Sequence, residues 1–115
     1  MLLIYGNHES WDALDLDGGA KLAELGRIHA AVLEELTATG ELIDSEELSV
    51  ADACVVRTTK GVPTVTDGPF IETKEIVGGY YLIDCADRDR AVSIAGRFAE
   101  AEFSIVEVRR IRADS

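Results

Sequence analysis

Positive charge is scarce in this sequence: 11 Lys and Arg stand against 22 Asp and Glu, for a formal net charge of −11. Nucleic-acid binding works through cations that neutralise phosphates, so no direct nucleic-acid contact is expected. An anionic membrane surface is disfavoured for the same reason. The nearest thing to a basic patch, Arg109, Arg110 and Arg112, reads as solvated strand-end residues. Long apolar runs are also missing. None approaches the roughly 20 residues a membrane-spanning helix needs, so no membrane role is expected. The opening MLLIY is apolar but brief, lacks the basic flank and length of a signal peptide, and reads as a first strand. A cytoplasmic protein is the expectation.

Cysteine is limited to Cys54 and Cys85, in neither a CxxC nor a zinc-ligand spacing. Both sit in apolar, strand-like stretches, so both are expected to be buried free thiols, neighbours on paired strands. The glycine pairs Gly18–Gly19 and Gly78–Gly79 form neither a GxGxxG nor a P-loop. No Ser, Cys or His spacing suggests a nucleophile. Asp84, Asp87 and Asp89 do not follow a calcium-loop pattern. No cofactor and no metal site are expected.

What is present suits one domain over residues 1–115. LLIY (2–5) is a strand stopped by Gly6. From Ala20 to Thr39 the series Leu22, Leu25, Val32 and Leu36, widened by Ile28 and Leu33, follows helical spacing. Asp17 is a candidate cap and Gly40 a C-terminal stop. ADACVVRTTK (51–60) reads as the second main strand and VPTVT (62–66) as a short edge piece. EIVGGYYLIDC (75–85) is a strong strand whose double glycine suggests a bulge or a close backbone approach. Asp87 caps a second helix predicted from Arg88 to about Ala101, with Ala91, Val92, Ala95 and Phe98 as its apolar stripe, and FSIVEVRRI (103–111) closes the chain. The order predicts an α+β, ferredoxin-like βαββαβ sandwich with a small extra hairpin in the β2–β3 connection. Its strands carry apolar residues on both faces, but its two helices cover only one. The sheet therefore predicts a homodimer packed face to face.

The segment TDGPFIETKE (66–75) is longer and richer in charge than a plain hairpin turn requires. Asp67 reads as an Asx-turn acceptor, Gly68 as a residue free to take unusual φ values, Pro69 as a stiffener and Phe70 as an apolar anchor. Glu72 and Lys74 share one strand face. The string DGPFIETKE followed by IVGGYYLID, with LLIYG at the start and VEVR near the end, resembles the DGPF branch of the YCII-related domain family. The chain departs from it at Ile71, where Ala is usual, and at Arg110, where Pro is usual. The resemblance implies a ferredoxin-like, dimeric α+β barrel of largely unassigned biochemical role. Members of the branch occur near or fused to alternative sigma factors, which implies a protein partner in transcription. Members of the wider family carry a His–Asp pair proposed as catalytic, and a His on the first helix.

His29 continues the apolar series of the first helix. Three readings apply: a core histidine paired with backbone or a buried carboxylate, a general acid or base, and a metal ligand. Asp67 is its nominated partner if the DGPF corner folds back over the helix, so His29 and Asp67 are the candidate catalytic pair. Gly68, Pro69, Phe70, Glu72, Lys74 and Tyr80 are the candidate ligand-binding residues. His8 reads as an ordinary loop residue. Whether the chain is an enzyme with a small-molecule pocket or an interaction module in transcription stays open at this level.

Overall fold

The computed structural model describes residues 1–14, 18–69 and 75–112. Its main sheet has four antiparallel strands: β1 (Leu2–Gly6), β2 (Leu42–Glu47), β5 (Ile76–Ile83) and β6 (Val106–Val108), in the order β2-β5-β1-β6. Among the described residues a second sheet pairs β3 (Cys54–Thr59) with β4 (Val62–Asp67). The helices are α1 (His8–Ala13), α2 (Ala20–Thr39), α3 (Arg88–Ala95) and α4 (Glu100–Phe103). This is a mixed α+β fold with antiparallel sheets, compatible with the ferredoxin-like arrangement. Among the described residues no helix is long and apolar enough to cross a membrane.

Period-2 alternation sets the two faces of the main sheet. Leu2 and Ile4 point inward and pack with Val32 and Leu36 of α2, Tyr81 of β5, Ala91, Ile94 and Ala95 of α3, and Phe98. The helix-side face forms rows: Ser45 and Leu2 flank Tyr81, and Glu47 and Ile4 flank Gly79. The opposite face carries Leu3, Tyr5, Val77 and Tyr80, each partly exposed.

Several expectations require correction. The second strand of the main sheet is LIDSEE, not residues 51–60. LIDSEE is an edge strand, polar in sequence because solvent reaches it, and it forms because β5 offers a long unpaired side. The β-branched run from Cys54 pairs instead with β4, from Cys54↔Asp67 to Thr59↔Val62. Apart from half-buried Val55, every residue of this hairpin is exposed. The Cα radius of gyration is 16.2 Å, against about 13 Å for a close-packed chain of this length. The hairpin thus stands off the body. Cys54, on it, is exposed rather than buried, and Cys85 lies just after β5, so the two are not neighbours on paired strands; both are free thiols. The second helix stops at Ala95, before Gly96, and a separate turn of helix follows at Glu100. Gly has low helix propensity, which weakens continuation there. The last strand is shorter than expected, Val106–Val108. α1 was legible as a capping box that the sequence reading passed over: the Asn7 side chain accepts from the Ser10 N–H, and the Ser10 hydroxyl oxygen accepts from the Asn7 N–H. Asp17, the nominated cap of α2, lies outside the described residues.

Other expectations hold. Asp87 caps α3, accepting from the Arg90 N–H at 2.9 Å. The register shifts between Ile4 and Tyr5, opposite Gly78, giving the expected bulge. A β-carbon on Gly79 would lie 3.0 Å from the Glu46 carbonyl oxygen, the expected close approach.

Arg90 of α3 grips Glu41, at the entry to β2, through two bonds of 3.0 and 2.9 Å. These bonds, with one from Thr39, hold the Glu41 carboxyl down to about 2 from an ordinary 4.5. A depressed carboxylate stabilises the fold above its unfolded pKa and loses that contribution as pH falls through its folded pKa. Glu41→Gln is therefore expected to flatten the stability–pH curve between pH 4.5 and about 2. Urea unfolding at stepped pH checks this, and an unchanged slope would remove Glu41 from the acid transition.

Candidate functional site

On α2 the residues Leu22, Leu25, Gly26 and His29 recur at helical spacing and line an open cleft of about 670 Å³. This explains a departure from the simple stripe: Val32 and Leu36 are buried, whereas Leu22 is 48% exposed. The N-terminal half of the helix overhangs the cleft rather than sealing onto the sheet. The floor comes from the two rows Ser45–Tyr81 and Glu47–Gly79–Ile4. Leu48, Ser49 and Val50 continue the wall toward the hairpin. Trp11 and Leu14 close one end. The Trp11 ring packs onto Gly6 and Gly78, where a β-carbon on Gly6 would collide with it.

His29 is held at both nitrogens. Nδ1 lies 2.6 Å from the Tyr81 hydroxyl, and Nε2 lies 2.7 and 3.0 Å from the two oxygens of Glu100. A carboxylate only accepts, so Nε2 carries the proton toward Glu100. In the neutral ring, Nδ1 then accepts from Tyr81. Burial, then the Glu100 charge, pushes the Tyr81 hydroxyl up to about 12, which keeps it a donor; a hydrogen bond with Ser45 opposes the rise. Phe98 stacks on His29 with centroids 4.7 Å apart and lies 4.8 Å from the Tyr81 ring. Glu100 is only 6% exposed. The result is a linear chain, Tyr81–His29–Glu100, whose three members all line the cleft. It can move a proton between the cleft and a buried carboxylate.

Of the residues singled out from the sequence, His29 and Tyr80 line the cleft. The Tyr80 hydroxyl donates to Asp44 at 2.7 Å, and that bond is the main cause of its raised pKa. Asp67 ends β4, exposed, and is not among the described lining residues. The carboxylate that meets His29 is Glu100, so the paired-histidine reading is the one the geometry matches. The Asx-turn proposed for Asp67 also fails chemically. Its acceptor would need the N–H two residues on, and that residue is Pro69, which has none. Gly68 does take a left-handed φ of +89°, and its N–H donates to the Ala53 carbonyl at 2.7 Å, closing the hairpin base. Neither Gly68 nor Pro69 is among the described lining residues. Phe70, Glu72 and Lys74 lie outside the described residues. His8 starts α1 and meets Trp11 edge-on at 5.7 Å. Among the described residues no group of three or more His, Cys, Asp or Glu side chains could hold a metal ion.

Sequence reasoning missed Glu100, Tyr81 and Trp11. Glu100 carried little signal, because an acid in a helical stretch reads as solvated. Tyr81 could be told from Tyr80 only with the register against Leu2 in hand.

A family model described as the YCII-related domain matches residues 1–113. Among curated proteins, an uncharacterized protein of Rhizobium meliloti (strain 1021) is 47% identical over 49 residues. That stretch is 43% of this chain and 40% of the relative, so the match spans well under half of either.

Proposed function

The chain belongs to the YCII-related domain family, and from that membership and the cleft geometry we propose a small-molecule-binding protein with acid–base capability. The observation that carries this reading is the Tyr81–His29–Glu100 chain in the wall of the cleft. Its volume lies within the range of roughly 300–1,000 Å³ common for ligand sites. In the proposed step the Tyr81 oxygen takes a proton from a bound ligand while its own proton moves to Nδ1 of His29. The imidazolium so formed sits against the Glu100 carboxylate. The reverse movement returns a proton to the same ligand, at the same or a neighbouring atom. The DGPF string would rank the chain within that branch of the family, with Asp67 and Gly68 at the hairpin base rather than in the cleft.

Gly26 provides the test. A β-carbon there meets nothing within 4 Å. Phe is only a middling helix former, but Gly is poorer still, so the replacement loses nothing in helix propensity. Gly26→Phe should therefore stay folded while its ring occupies the cleft. A panel of small organic compounds is screened by thermal shift. Compounds that raise the melting temperature of the wild type should leave Gly26→Phe unshifted. Equal shifts in both proteins, or no stabilising compound at all, would contradict the cleft reading.

A second copy of the chain is the proposed cover for the far face of the sheet, where Leu3, Tyr5 and Val77 remain partly exposed. Sedimentation at micromolar concentration is expected to give a dimer, and a monomer would overturn this. The alternative of a non-catalytic interaction module, including a transcriptional partner, draws on the projecting hairpin. There Val56 and Val65 pair on one face at 57% and 61% exposure. An isolated two-stranded hairpin is marginal in water, and a docking partner would stabilise it.

A further inference from the structure

The described lining of the cleft includes two carboxylates on the helix side, Glu47 and Glu100, and no Lys or Arg; Glu46 also lines it, but pairs with Tyr80, so its side chain belongs to the opposite face. The remaining wall is apolar or aromatic, with Ile4, Trp11, Leu14, Leu22 and Leu25. We infer that the cleft takes an organic cation, a small ring or short apolar body bearing an ammonium group. This deepens the ligand-binding reading and rests on it.

The placement of the carboxylates gives the cation an orientation. Glu100 is buried and already engaged by His29. Glu47 is exposed, at the end of edge strand β2, and shares its sheet row with Gly79 and Ile4 on the helix side. Gly79 adds no side chain to that row, where the Glu46 carbonyl already approaches closely, and Gly79, Glu47 and Ile4 all line the cleft. An ammonium at the mouth beside Glu47 would leave the apolar body against Leu22, Leu25 and Trp11. Trp11 lies beside Gly78, where a β-carbon would stand 3.5 Å from its Cζ2, and it lines the cleft. An indole in the wall of a cleft offers a cation a π face that an anion does not favour. An anion would meet the Glu47 and Glu100 carboxylates with no Lys or Arg among the described lining, and the −11 net charge of the chain repels it further.

Calorimetric titration at neutral pH with three matched probes tests this: 2-phenylethylamine, 2-phenylethanol and 3-phenylpropionate. The amine should bind at least about threefold more tightly than the alcohol, the scale of one partly exposed ion pair. The propionate should bind more weakly than the alcohol. Glu47→Gln should bring the amine down to the affinity of the alcohol. Gly26→Phe should abolish amine binding. If the alcohol or the propionate binds as tightly as the amine, and Gly26→Phe blocks it, the charge inference fails while the cleft reading stands. Binding that Gly26→Phe does not block puts the ligand elsewhere and overturns both. If none of the three probes binds, the charge inference fails, and the thermal-shift panel decides separately on the cleft.

Discussion

Phe98→Ala is expected to lose about 3–5 kcal/mol of unfolding free energy, the usual range for truncating a buried aromatic ring. Phe98 is 1% exposed and is among the largest fully buried side chains of the chain. It sits in the turn after α3, within the cluster that joins Leu2, Leu36 and Ile94. Its ring also stacks on His29 and tilts against Tyr81. The truncation would leave a cavity beneath both polar rings. A domain of this kind has only about 5–15 kcal/mol in total. Urea unfolding followed by circular dichroism reads the change directly. A loss below about 1 kcal/mol would mean that the ring does not anchor the cluster.

The second large effect concerns the histidine. The His29 side chain is 24% exposed and that of Glu100 8%, so the pair lies nearer the buried than the surface limit. His29→Leu would leave the Glu100 carboxylate buried without its partner, at a cost of about 3 kcal/mol. Replacing both, His29→Leu with Glu100→Leu, should recover most of that loss, because no buried carboxylate is then left without its hydrogen-bond partner. Glu100→Gln keeps an acceptor for Nε2 and should cost only about 1 kcal/mol. Denaturant curves of the three variants and the wild type give the comparison. A double variant less stable than His29→Leu would show that no buried charge was being compensated.

The readable and unreadable parts of this sequence divide on physical lines. The long helix Ala20–Thr39 was legible because its apolar period runs over many turns and Gly40 ends it with a φ of +79°. β1 and β5 were legible from dense apolar alternation, and the glycine pair announced the bulge between them. β2 was not. An edge strand with solvent access needs no apolar alternation, and LIDSEE shows none. Propensity favoured Cys54–Thr59 as its replacement, and propensity was right that it is a strand but wrong about its partner. His29 stood out because a histidine among leucines needs a partner. The identity of that partner was beyond the sequence. Glu100 lies 71 residues away in chain order, and only the packing of α4 against β1 brings it under α2. Asp67 was the more conspicuous acid, since the DGPF string drew attention to it. It ends on the exposed hairpin instead.

The Tyr81–His29–Glu100 chain lines the cleft, and a ligand entering there would meet it. The chain has two histidines, so His8→Gln leaves His29 as the sole imidazole signal. The most direct measurement is the ¹⁵N spectrum of that imidazole in histidine-labelled protein. It is recorded alone, after Tyr81→Phe, and with saturating 2-phenylethylamine. Expected are a ring protonated at Nε2, an Nδ1 signal that moves when the Tyr81 hydroxyl is removed, and a further shift on adding the amine that Gly26→Phe prevents. Imidazole signals unmoved by both Tyr81→Phe and the amine would contradict this reading.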